Sequence, residues 1–160
     1  MRRYQLTRNF FLDEFTRSQA AARHGIDMSL SSCSDEAQSL MRLCETVLQP
    51  LRDALGPVHI TSGYRPFALN LLIGGSSHSQ HIRGQAADIV VAGRAPLDVS
   101  RWIYANIGDY DQLIHEFGQW THVSVAGPNK TPRRQPLTSW REKRTVRYAP
   151  GIAQVERSAA

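Results

Sequence analysis

Between Ser34 and Gly56 the apolar residues Ala37, Leu40, Met41, Cys44, Val47, Leu48, Leu51 and Leu55 recur at spacings of three and four. Only an amphipathic helix puts all of them on one face. A helix that long with a single apolar stripe must lay the stripe on another layer of structure, which constrains the fold more than any other feature of the chain. Ser34 is placed to cap it, and Asp35 and Glu36 suit the positive end of the helix dipole. Gly56 can take the left-handed conformation that stops it, and Pro50 predicts a slight kink. Shorter helices are predicted from Ser18 to His24, ending at Gly25, and from Pro96 to Ile107, ending at Gly108.

The other layer reads as strands: Val58 to Ser62, Ala86 to Val91, Asp111 to Glu116, and Trp120 to Val125. The last two make a hairpin through Phe117, Gly118 and Gln119, with Gly118 able to supply a positive φ. The expectation is an α+β domain, a small antiparallel sheet with flanking helices, over residues 1–126. After Ala126 the pattern is lost among Pro128, Pro132, Pro136 and Pro150. Residues 127–160 therefore read as a basic C-terminal extension, a packed arm or tail, not an independent domain.

A chain of 160 residues, 41% hydrophobic and 21% charged, is long enough for one core and too apolar for disorder. The net charge of +5 is confined to the extension, which holds 8 Lys/Arg against 2 Asp/Glu while residues 1–126 hold 11 against 12. Such an extension suits an anionic surface or a virion protein; nucleic acid is disfavoured, because it would explain none of the motifs below. No stretch approaches a transmembrane span, and Asp13 and Glu14 interrupt any signal-peptide core after Arg2, Arg3 and Arg8. The reading is of a protein made in a host cytoplasm without an export signal. Cys33 and Cys44 fit neither a metal pair nor a C-x-x-C motif and read as free thiols.

Chemistry is concentrated in His78-Ser-Gln80-His81-Ile-Arg-Gly84-Gln-Ala-Ala-Asp88 and in Trp120-Thr-His122-Val-Ser124. Two histidines and one carboxylate form a donor set that leaves a fourth zinc position open, the pattern of catalytic zinc. A lone strand histidine is ordinarily just hydrogen-bonded, so spacing by itself does not decide the matter, and His78 competes with His81.

The order Ser62-Gly-Tyr64-Arg65-Pro66, Asn70, Gly74-Gly75, Ser79-Gln80-His81, Gly84-x-Ala-Ala-Asp88, Asp111-Gln112, Glu116 and Trp120-x-His122-Val-Ser124 resembles the M15 zinc peptidases. These enzymes cut D-amino-acid-containing peptides of peptidoglycan, and the likeness is greatest to the phage and prophage branch. It spans Asn9 to Ser124. It implies a Hedgehog/D-Ala-D-Ala-peptidase-like fold, one zinc per chain held by His81, Asp88 and His122, and a peptidoglycan peptide as substrate. The expected activity is that of an endolysin-type endopeptidase acting on the wall after release by lysis machinery or from a virion. A D-alanyl-D-alanine carboxypeptidase and a non-catalytic zinc-containing wall-binding or virion protein are the alternatives.

Arg65 is the candidate to stabilise an oxyanion or hold a substrate carboxylate, with pairing to a core acid as the plainer role. Some relatives carry a Glu three residues before the last zinc histidine; here that position is Gln119, which cannot take a proton. Glu116 matches the phage branch and is the candidate general acid/base, or else the partner of a ligand histidine. His115 falls on the opposite strand face by alternation. His78 is expected at the rim, Gln80 beside the ligand turn, Tyr64 and Trp120 along the cleft or in the core, and Ser124 as a supporting donor.

Overall fold

The computed structural model describes residues 3–155. Met1, Arg2 and residues 156–160, the end of the predicted extension, lie outside the described residues. The chain opens with a two-stranded ribbon, β1 (Gln5–Thr7) and β2 (Phe10–Phe11), then α1 (Leu12–Phe15) and α2 (Gln19–Arg23). The long helix runs through α3 (Asp35–Leu43), a π-helical stretch (Cys44–Leu48) and α4 (Gln49–Leu55). Ser34 caps it by accepting from the Ala37 amide, and Gly56 ends it at φ 99°. Pro50 has no N–H to donate, and the irregularity is absorbed just before it: the Gln49 amide reaches back to the Cys44 carbonyl, one residue further than in an α-helix.

Strand β3 (Val58–Ser62) is followed by α5 (Phe67–Leu72), a 3₁₀ turn (Gln80–Arg83), β4 (Ala86–Val91), α6 (Pro96–Asn106), β5 (Gln112–Glu116) and β6 (Trp120–Ser124). Phe117 and Gly118, both with positive φ, turn β5 into β6. The sheet is larger than expected and mixed, not purely antiparallel. β7 (Gln135–Glu142) and β8 (Thr145–Pro150) extend it to six strands in the order β3-β4-β6-β5-β7-β8, with β5 and β7 parallel. The reason is topological: β6 ends beside the start of β5, so the following loop delivers the chain to the start of the free edge of β5. The segment expected as an arm thus contains two sheet strands. Pro136 and Pro150 stand near a strand's start and at a strand's end, where a missing N–H costs little.

Leu40, Leu43, Val47, Leu48 and Leu51 from the long helix, Val99 and Ile103 from α6, and Ala87, Ile89, Leu113 and Val123 from the sheet form one fully buried cluster. Each buried leucine contributes about 1.5–3 kcal/mol. The helices therefore cover one sheet face. The alternate residues Asp88, Ile114, Glu116 and His122 face the other side, where the site lies. Among the described residues no helix is long and apolar enough to cross a membrane.

Candidate metal centre

Antiparallel pairing sets Asp88 of β4 directly opposite His122 of β6. His81 reaches them from the 3₁₀ turn, which closes at Gly84 in the left-handed conformation. A Cβ on Gly84 would lie 2.3 Å from the Glu36 carbonyl oxygen, so this glycine seats the ligand turn against α3. The ring of His81 is oriented by donating from Nδ1 to the Gly63 carbonyl at 2.7 Å, which turns the Nε2 lone pair toward the centre.

Three atoms converge there. His122 Nδ1 lies 2.9 Å from Asp88 Oδ1, His81 Nε2 lies 3.4 Å from the same oxygen, and the two ring nitrogens are 3.3 Å apart. Zinc bonds of about 2.0–2.2 Å at tetrahedral angles place ligand atoms about 3.3 Å from one another, so this donor set fits a zinc-sized ion. His81 and His122 are buried and Asp88 is nearly so. Burial pushes the Asp88 carboxyl up, but the neighbouring imidazoles of His81 and His122 outweigh it and hold Asp88 far below the ordinary range. Burial also lowers His81, whereas at His122 the bond to Asp88 overcomes burial and raises the imidazole. A metal would replace the proton shared among these atoms.

The trio lies in an open cleft of about 360 Å³ that is also lined by Arg65, Glu116, His78 and Gln80. The Arg65 guanidinium donates to Ser62 Oγ at 3.2 Å and Asn70 Oδ1 at 3.4 Å, and its Nη2 stands 3.8 Å from Asp88 Oδ2. It is only 15% exposed, and burial lowers its pKa. Burial raises the Glu116 carboxyl above its ordinary range, aided by Asp88 and opposed by His122, Trp120 and Arg65. One basic carboxyl and one cation thus flank a three-donor metal set.

A family model described as Peptidase M15 matches residues 8–124. The chain belongs to the M15 peptidases. No curated protein sequence matches it.

The other sequence-singled residues of this M15 peptidase divide sharply. His78 is exposed at the cleft rim. Gln80 lines the cleft too, but its amide is committed to Asp111 Oδ2 at 2.9 Å and the Val125 carbonyl at 3.2 Å. Ser124 accepts from the Gln112 amide at 3.0 Å and touches no ligand, because it is buried at the β5–β6 ladder. Tyr64 packs against the core and lines a neighbouring groove, since its backbone is drawn toward α1 by a bond to the Phe15 carbonyl. Trp120 stacks edge-on against Phe117 at 5.3 Å in the hairpin and is absent from the lining of the metal cleft. Gln119 is exposed in the turn, where its backbone N–H donates to the Glu116 carbonyl at 2.9 Å. His115 is buried on the opposite face from Glu116, as alternation requires.

Further residues line the cleft that the sequence did not single out as site candidates, among them Gln112, Arg133 and Tyr148. Gln112 sits on the β5 face shared with Glu116, and alternation from Glu116 was a usable signal for it. Arg133, in the loop that leads into β7, and Tyr148 of β8 both come from the extension, and its unforeseen return to the sheet brings them near. Arg133 chelates Asp111 through Nε at 2.9 Å and Nη2 at 2.6 Å, and also donates to Gln80 Oε1 at 3.3 Å. Asp111 is pushed up by burial, yet Arg133 holds it below the ordinary carboxylate range.

Proposed function

We propose that this M15 peptidase is a zinc-dependent hydrolase of the peptide stems or crosslinks of bacterial peptidoglycan, an endopeptidase of the phage or prophage lysin kind. The observation that carries the reading is the convergence of His81 Nε2, Asp88 Oδ1 and His122 Nδ1 in an open cleft, between Arg65 and Glu116. Zinc held by these residues supplies Lewis-acid polarisation of a carbonyl and a water acidified to a pKa of about 7.

The chain's own groups do the rest. Glu116, made more basic by burial, takes a proton from the attacking water and delivers it to the leaving amine. Arg65, held by Ser62 and Asn70, faces the negative charge that develops on the carbonyl oxygen. The His81 bond from Nδ1 to the Gly63 carbonyl keeps that donor oriented. The basic extension suits an anionic wall polymer or a virion protein, and the proposed place of action is the wall, after release by lysis machinery or from a virion.

Metal analysis combined with digestion of purified sacculi tests this directly. About one zinc per chain is expected, as for a single three-ligand catalytic site, together with release of crosslink- or stem-cleaved muropeptides. Release of free D-alanine alone would reassign the protein as a carboxypeptidase. Binding of sacculi without solubilisation would make it a wall-binding protein.

A further inference from the structure

The family match ends at residue 124, yet the chain beyond it returns to the cleft. Ser139 of β7 pairs with Glu116 of β5, and Tyr148 of β8 pairs with Ser139. Cross-strand partners share a sheet face, so Glu116, Ser139 and Tyr148 form one row leading away from the metal ligands. Tyr148 lines the cleft together with Glu116 and the ligand trio, although its ring is 56% exposed and serves no core. Between the two, Ser139 is fully buried and its Oγ has no hydrogen-bond partner among the described residues. A buried hydroxyl without a partner is uncommon, and here it leaves hydrogen-bonding capacity directly beside the cleft carboxyl. Arg133 is committed to Asp111 and Gln80, so it anchors this wall and does not present a free charge.

We propose that Tyr148 is a substrate-contacting, specificity-determining residue that touches the residue on the leaving-group side of the scissile bond. The inference rests on the peptidase reading above. If Glu116 delivers the proton to the leaving nitrogen, the residue bearing that nitrogen lies at the Glu116 end of the cleft, and Tyr148 is the next exposed side chain along the row. Burial and the nearby Glu116 charge keep the phenol protonated to higher pH than usual, so it offers a hydrogen-bond donor and an apolar ring. The substrate feature it selects is a leaving-side residue with an aliphatic stem and a carbonyl or carboxylate acceptor.

The test uses the zinc-loaded full chain and two defined stem peptides that differ only in the leaving-side residue. Tyr148→Ala is expected to raise KM about tenfold, the equivalent of one lost contact of ordinary strength, and to flatten the preference between the peptides. Its zinc content and unfolding temperature stay at wild-type values. Arg147→Ala serves as the control, because Arg147, next to Tyr148 on β8, pairs at the exposed surface with Glu142 of β7, and it should match wild type throughout. If Tyr148→Ala loses stability, Tyr148→Leu, which keeps apolar bulk on β8, carries the same comparison. Wild-type discrimination retained unchanged in the variant overturns this inference alone. Absence of wild-type turnover on the peptides and on sacculi overturns it together with the peptidase reading.

Discussion

At one end of the cleft His81, Asp88 and His122 hold one another and the Gly63 carbonyl in a closed set of bonds. At the other end Glu116 sits beside Ser139, whose buried Oγ has no hydrogen-bond partner among the described residues. The two carboxyls at these ends are driven in opposite directions: Asp88 well below its ordinary range by two imidazoles, Glu116 above its own by burial. Their separation teaches how the work is divided. A ligand must stay ionised and oriented, whereas a group that moves protons must be able to take one at working pH. Environment, not residue type, makes the distinction.

The harshest way to break the contrast is to remove a ligand. His122→Ala should abolish stoichiometric zinc and lower turnover on the order of a thousandfold or more, since the donors act as a unit. Metal analysis and stem-peptide hydrolysis check both. Glu116→Gln should instead keep the zinc and lower kcat by about 10²–10⁴-fold. A base works only when deprotonated, so wild-type kcat/KM should fall as pH drops through the raised Glu116 pKa. That acid limb should therefore sit above the ordinary glutamate range and vanish in the variant. A profile whose acid limb is the same in wild type and Glu116→Gln would remove Glu116 from the mechanism.

Arg65→Ala should cost about 10²–10³-fold in kcat with zinc retained, the loss typical of one oxyanion-stabilising group. An unchanged kcat would return Arg65 to the structural role of partner to Asp88. The smallest effect concerns the wall. Arg133→Ala should destabilise the fold by about 1–2 kcal/mol in urea unfolding, a value kept low because half of the Arg133 side chain is exposed. The sign with pH follows from Asp111, which is held below its ordinary range. Its pairing stabilises the fold above the unfolded carboxylate pKa of about 3.9, and that contribution is lost as pH falls toward the depressed folded value. Wild type and variant should thus converge in stability at acid pH.

Much of this was legible in the residues. The apolar stripe from Ala37 to Leu55, capped at Ser34 and stopped at Gly56, announced the long helix, and the four central strands appeared within a residue or so of their observed bounds. His81, Asp88 and His122 were picked out by their motifs, and the structure brings their donor atoms together. The sequence does not show that the polar groups of Ser124 and Gln80 are taken up by the Gln112 backbone and by Asp111. For Tyr64 and Trp120 the sequence left cleft and core both open, because an aromatic near a motif packs wherever the neighbouring backbone leaves room, and that is settled by tertiary contacts.

The chain's local chemistry determined the helix, the inner strands, the donor set and the face alternation that separates Glu116 from His115. Periodicity and capping are short-range and survive in one dimension. The folded structure alone decided that β7 runs parallel to β5 and that β8 follows it, because proline-punctuated, charge-rich strands have no pattern of their own and form by completing a free sheet edge. That edge pairing carries Tyr148 into the same cross-strand row as Glu116, across a stretch of sequence in which nothing local points to the cleft.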